Sequence, residues 1–447
     1  MLFNSYEFLF LFLLPVFFGW LLMELFVSKH ICKQKVLTYY LIGVSIIFYG
    51  QWNLKHLYIL LGSVVFNYAG ALWFVRHEVA QKKMYLFVMV VLNLVPLGYY
   101  KYSGILNMKD SELVLPLAIS FFTFQQIAFW VDLYKKKIEL GGFDKYLFFV
   151  LFFPQLIAGP IVHYNDLVGQ LKKMMNKSML HEGLVLFSVG LFKKVVLADS
   201  LAPYANAAFS DVAVLSLHEA WLGLFAYSFE IYFDFSAYAD MAIGLGLLFG
   251  FRLPMNFDSP YKSKNIIEFW RRWHITLSEF LKEHLYIPLG GNRKGVKRSV
   301  LNLMITMSIG GIWHGAGWTF LLWGFGHGVF LGISHLAKNI KSTFLTFLGV
   351  TLLWVLFRAD SFSDAITYYG VLMPDSIEQI REVDFKINFE LMLLLVSGFI
   401  VWFLPNSMKI YKYAHKKSMI VFAGVLFFVS LKVMANTPAM TFVYFNF

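Results

Sequence analysis

Long apolar runs separated by short polar intervals dominate the chain. Runs at 6–27, 36–49, 57–75, 84–100, 113–134, 183–198, 221–251, 299–313, 318–336, 344–357, 391–404 and 419–435 each approach the length of a membrane helix, which needs about 20 apolar residues and somewhat fewer with polar flanks. A further apolar piece, 146–161, contains Pro154, Gly159 and Pro160. Those residues break a helix, so it is expected to be re-entrant, entering and leaving on one side. Between 252 and 298 the pattern changes. Ile266, Phe269, Trp270, Trp273, Leu277, Phe280, Leu281 and Leu285 recur mostly at three- and four-residue steps, the period of an amphipathic helix lying in the interface or dipping between spans. The pattern predicts an all-α polytopic membrane protein with about 11–13 transmembrane or re-entrant helices and cytoplasmic amphipathic helices. No repeat or low-complexity linker divides it, so a single membrane domain is expected over 1–447: N-terminal spans in 1–140, a core in 141–340, C-terminal spans in 341–447.

Charge orients this layout. Lys29, Lys33 and Lys35 follow the first span, Arg76, Lys82 and Lys83 the third, and Lys135, Lys136 and Lys137 the fifth. Lys172, Lys173 and Lys177 follow the re-entrant piece, and Lys338 and Lys341 follow 318–336. Lys409, Lys412, Lys416 and Lys417 precede the last span, and 252–298 is rich in Lys and Arg. The interval 199–219 has no Lys or Arg, and 360–390 is acidic. Basic loops stay cytoplasmic, so both termini are expected outside. Treating 146–161 as a full span would put the later basic loops outside.

Composition agrees. The chain is 59% hydrophobic and 15% charged, against roughly 45–50% and about 25% in soluble domains. Its net charge of +11 reads as cytoplasmic loops on anionic lipid, not as a nucleic-acid interface. A lone cysteine, Cys32, excludes an internal disulfide and a cysteine-built metal site. Asn4 and Glu7 with no basic n-region point to a first membrane helix, not a cleaved signal.

Several polar residues stand out against this apolar background. His314 sits between glycines 310, 311, 315 and 317 and beside Trp313 and Trp318. Fifteen residues from Ser299 at about 1.5 Å each carry it roughly two-thirds across the membrane. An imidazole there is a base, a metal ligand, a proton relay or a hydrogen-bonded packing group. His327 and His335, eight apart, are too far to share an ion, so no metal is expected and both are read as structural. His274, in Phe269-Trp270-Arg271-Arg272-Trp273-His274, is by itself an interfacial anchor as readily as a functional group. Glu230 and Asp234, one turn apart, are expected to pair with Lys193, Lys194 or Arg252, the other reading being a proton path. Gly290-Gly291-Asn292-Arg293-Lys294-Gly295 is a basic glycine turn without P-loop spacing, and it suits a lipid-facing loop or cofactor phosphates.

Together Pro154-Gln155-Leu156-Ile157-Ala158-Gly159-Pro160-Ile161, Asp234-Phe235-Ser236-Ala237-Tyr238, Asn256-Phe257-Asp258-Ser259-Pro260-Tyr261, Phe269 to His274, Gly290-Gly291-Asn292-Arg293 and Trp313-His314-Gly315 resemble the membrane-bound O-acyltransferase (MBOAT) superfamily. The chain is most similar to the bacterial branch serving alginate and peptidoglycan O-acetylation, and its opening and closing residues extend the likeness to nearly its whole length. The D-alanyl branch has Asn-Arg-Trp-His where this chain has Arg271-Arg272-Trp273-His274, which favours acetyl transfer. The resemblance implies a catalytic core in 141–340, with His314 as catalytic base and His274 as second motif histidine. It also implies a cytoplasmic acetyl-CoA donor, for whose binding Arg293, Lys294 and Trp273 are candidates. An extracytoplasmic SGNH-type acetyltransferase/esterase would pass the acetyl group to a polysaccharide, with membrane lipids the remaining partner. The rival readings are a proton-coupled transporter, which predicts inverted repeats that the chain does not display, and a polysaccharide-export scaffold.

Overall fold

The computed structural model describes residues 1–27, 31–77, 81–103, 114–172, 177–337, 339, 341–374 and 389–443. Lys29, Lys173, Lys338, residues 375–388 of the acidic interval and the last four residues lie outside them. Among the described residues the regular structure is entirely helical. Six helices are long and apolar enough to cross a membrane: Glu7–Phe26, Leu54–Arg76, Lys82–Tyr102, Leu217–Leu248, Trp318–Leu336 and Lys417–Met434. Thr343–Arg358 and Phe389–Phe403 are shorter apolar helices. Ile31–Gly50, Ile119–Tyr134, Lys177–Phe192 and Val296–His314 fall on the other expected runs.

Two compact units emerge from the chain's internal contacts. The first holds Met1–Leu191, Tyr238–Pro254 and a C-terminal stretch from Tyr411; the second holds Phe192–Ala237 and Met255–Ile410.

In the first unit the expected re-entrant piece is a broken helix. Phe143–Leu151 stops at Phe152, and a short turn of helix, Phe153–Leu156, restarts with Pro154 in its first turn. Every residue from Phe148 to Pro160 is buried. Exposed backbone polar groups are not tolerated in hydrocarbon, and here side chains satisfy several of them. Gln125 and Gln155 both donate to the Phe149 carbonyl, at 2.7 and 3.1 Å. Ser45 Oγ accepts from Phe153 N, and Tyr238 Oη from Ala158 N. Gly183 and Gly244 bring two helices together, since a Cβ on either would crowd the other's carbonyl oxygen. Arg252 pairs with Glu182 at 3.1 Å, so it is not the partner of the aromatic-span carboxylates.

Three expectations change. The described part of the run 113–134 becomes helical only at Ile119, because Ala118 takes a left-handed φ of 63° two residues after Pro116. The interval 199–219, expected as a loop, is helical over Asp199–Ser210 and continues the Lys177–Phe192 helix through a π-helical stretch, Lys193–Ala198. The amphipathic helix of 266–285 is two helices, Ile266–Arg272 and Ile275–Leu281, broken at Trp273 and His274. Nor does it lie on an interface: Ile266, Phe269, Trp270, Trp273, Leu277, Phe280 and Leu281 are buried in the second unit.

The second unit is built around a helical hairpin, Val296–His314 and Trp318–Leu336. A seam of glycines makes it tight. A Cβ on Gly311 would collide with the Phe320 carbonyl, one on Gly324 with the Met307 carbonyl, and one on Gly328 with Met304 Cα. Between helices in lipid, close packing of this kind replaces hydrophobic burial as the source of cohesion.

Candidate active site

His314 is the last residue of the Val296–His314 helix, and Gly315 to Gly317 are extended before the chain turns into the next helix. Eighteen residue steps at 1.5 Å place it roughly 27 Å from Val296, on the far side of the hairpin from the basic turn. The side chain is only 3% exposed. Its ring meets Trp313 at 4.7 Å, Trp323 edge-on at 5.1 Å and Phe357 at 5.3 Å between centroids. Gly311 and Gly324 of the glycine seam lie two residues and one residue from Trp313 and Trp323 of this aromatic box, so the imidazole sits at the end of a tightly packed hairpin.

His274 is held differently. It occupies the break between two helices at φ 44°, ψ 54°, a left-handed conformation that carries strain for a residue with a Cβ. Asn256 supports that geometry. Its Oδ1 accepts from Thr276 N at 3.2 Å and Thr276 Oγ1 at 3.0 Å, and it meets His274 Nδ1 at 3.3 Å. Its carbonyl takes Ile275 N at 3.0 Å. An oxygen already accepting a backbone N–H makes His274 Nδ1 the donor, so in the neutral ring Nε2 is an acceptor. His274 lies outside the membrane-spanning helices and is fully buried; burial pushes its pKa down to about 3.

The two histidines share one aromatic network. Trp273 packs on Trp354 at 5.1 Å, Trp354 stacks on Trp323 at 5.8 Å, and Trp323 meets His314. The Trp273 ring is enclosed by Phe257, Phe269, Tyr261 and Trp354. It therefore braces His274 and turns no open face to a ligand. Arg293 and Lys294 stand exposed on the turn that leads into the Val296–His314 helix. Gly290, Gly291 and Gly295 give that turn its positive φ values, and Asn302 Nδ2 ties it down by donating to the Gly291 carbonyl at 2.9 Å.

Asp234 finds the expected cation. Lys194 Nζ lies 2.7 Å from both Asp234 and Asp199, with the Lys194 and Asp234 side chains almost wholly buried. Glu230 is buried too, but its Oε2 has no hydrogen-bond partner among the described residues. His327, read from sequence as structural, lies beside the site: its ring is 4.8 Å from Trp323 and 5.1 Å from Trp270. The signal for it was present as Trp323 and His327, one helical turn apart in the hairpin that carries His314. Among the described residues no three His, Cys, Asp or Glu gather as a metal site.

The chain is thus a multi-pass membrane protein that places one buried imidazole at a helix end and a second at a strained break. Comparison with known proteins gives that class its family. The membrane-bound O-acyltransferase family pattern matches residues 136–352, a span that includes both histidines. The peptidoglycan O-acetyltransferase of Helicobacter pylori is 41% identical, over 82% of this chain and 78% of its own length. The probable alginate O-acetylase AlgI of Pseudomonas aeruginosa is 38% identical, over 86% and 77%. The teichoic acid D-alanyltransferase of Streptococcus thermophilus is similar at 28%, over 56% and 64%. The chain belongs to the membrane-bound O-acyltransferase family, and it is an O-acyltransferase.

Proposed function

We propose that the enzyme moves an acetyl group from a cytoplasmic thioester, acetyl-CoA, to an extracytoplasmic acceptor, for O-acetylation of a cell-envelope or secreted polysaccharide of the peptidoglycan or alginate kind. The observation that carries this reading is His314, buried at the far end of the hairpin from the basic turn. A hydroxyl is a weak nucleophile until a base takes its proton, and a neutral imidazole fixed in an aromatic box suits that task. His314 takes the acceptor's proton as its oxygen bonds the acyl carbon, and returns it to the departing sulfur. His274, with Nδ1–H directed to Asn256, presents an acceptor nitrogen and orients the reactants; it does not stabilise negative charge. Arg293 and Lys294 are suited to the donor's phosphates as exposed cations on the cytoplasmic turn. The acceptor is an SGNH-type partner outside a bacterial inner membrane, which passes the acetyl group to the glycan. Both termini then face out, as the basic loops require.

The names of the relatives support acetyl transfer over D-alanyl transfer, since the 41% and 38% relatives are O-acetylating proteins. The test is reconstitution in vesicles with labelled acetyl-CoA and an SGNH partner. Wild type is expected to transfer label, and His314→Ala to lose at least about a hundredfold in rate. Retained transfer in the variant would remove His314 as the base.

A further inference from the structure

His327 is completely buried, and its Nδ1 accepts the indole N–H of Trp270 at 3.3 Å. An indole nitrogen only donates, so Nδ1 carries a lone pair and the hydrogen of the ring sits on Nε2. That Nε2–H has no hydrogen-bond partner among the described residues, and neither does the indole N–H of Trp323, which is 1% exposed. Trp323 and His327 are one turn apart on the same helix face, their rings 4.8 Å apart and nearly perpendicular. Trp323 also meets His314 edge-on. A packing role alone would favour an apolar ring at both places, because an N–H buried without an acceptor is unfavourable. Two such donors on one turn, beside the base, lack only an acceptor.

We propose that Trp323 Nε1–H and His327 Nε2–H bind the acyl carbonyl oxygen of the thioester and hold it as it gains negative charge. This rests on the acetyl-transfer reading above. As the acceptor oxygen bonds the acyl carbon, its proton passes to His314 and the carbonyl π pair moves onto oxygen, where the two donors meet it. When the carbon–oxygen double bond re-forms, the carbon–sulfur bond breaks and the imidazolium returns its proton to sulfur. Trp270 acts at one remove, as a positioning residue: its N–H fixes the His327 tautomer that has a hydrogen on Nε2. His274 cannot take this part, because its Nδ1–H is directed to Asn256.

Full-length enzyme in vesicles tests the proposal with acetyl-CoA and its partner. Trp323→Phe and His327→Phe each remove one donor and keep a ring; each is expected to lower kcat about a hundredfold with KM for the thioester nearly unchanged. His327→Gln keeps an N–H near the Nε2 position and should retain more kcat than His327→Phe. A spectroscopic arm separates chemistry from folding. In a His314→Ala background, an isotope-labelled acetyl thioester should show a lowered carbonyl stretch that returns toward its solution value when Trp323→Phe is added. Wild-type transfer with variants that keep kcat, that lose it only through KM, or that leave the carbonyl stretch unmoved would overturn this proposal alone. Failure of the wild type to transfer acetyl from the thioester would overturn the proposed function and this proposal with it.

Discussion

Asn256→Leu should damage both folding and catalysis, through His274. The Asn256 side-chain oxygen is the acceptor for Thr276 N, Thr276 Oγ1 and His274 Nδ1. Leucine keeps the same branched heavy-atom skeleton but has no acceptor, so three buried donors lose their partner. At about 1 kcal/mol each, the loss is about 3 kcal/mol. The same bonds hold His274 at its left-handed φ of 44°, so the break in the chain loses its support as well. Asn256→Asp is the informative companion, because it keeps the acceptor and adds a charge. In the wild type the folded His274 pKa, held down to about 3 by burial, is below the unfolded value of about 6.5. Below about pH 6.5 the unfolded chain binds a proton that the folded chain refuses. This site therefore costs stability as pH falls toward 3, by at most about 1.4 kcal/mol per pH unit. A carboxylate at position 256 raises the folded pKa and flattens that slope. Melting in detergent across this pH range, with label transfer on the same samples, measures both effects. A leucine variant that melts and transfers like wild type would refute the reasoning, as would an aspartate variant as acid-sensitive as wild type.

Lys194→Met should destabilise the protein by about 3–5 kcal/mol, because it strands the buried Asp234 and Asp199 without their cation; Lys194→Met with Asp234→Asn should recover much of that loss in the same melting assay. Gly324→Ala should cost about 1–3 kcal/mol and reduce transfer, since its methyl meets the Met307 carbonyl in the helical seam. Gly317→Ala should be close to neutral in both assays, because its backbone is extended and its nearest neighbour is an ordinary contact at 3.6 Å.

The helices and the main histidine were legible because the signals for them are local. A span announces itself by apolar length, and His314 by being polar inside one. The break at His274 was not legible, since Phe269, Trp270, Trp273 and Leu277 keep helical spacing across it. What breaks the helix is Asn256, far back in the chain, offering acceptors in an order no short window contains. Lys194 as the partner of Asp234 was one of three candidates, and only packing chose between them. His327 was passed over for a related reason. A histidine in a glycine-rich apolar helix looks like core until the neighbouring Trp270 is seen to claim one of its nitrogens.

On the proposed mechanism, the hydrogen-bond directions at two of the buried imidazoles, His274 and His327, suit them to different parts. His274 directs Nδ1–H to a side-chain oxygen and keeps Nε2 as an acceptor; His327 spends its Nδ1 lone pair on an indole and keeps Nε2 as a donor. Opposite tautomers at two sites joined by Trp273, Trp354 and Trp323 suit opposite parts of one reaction, an acceptor for hydrogens that must be held and a donor for charge that must appear. His314 closes one helix of the tightly packed hairpin in its unit. Its glycine seam packs the two helices backbone to backbone, which suits the proposed base, since a base must stay within hydrogen-bond reach of the hydroxyl it activates. Glycines hold that hairpin together, and Trp270 fixes which nitrogen of His327 carries the hydrogen.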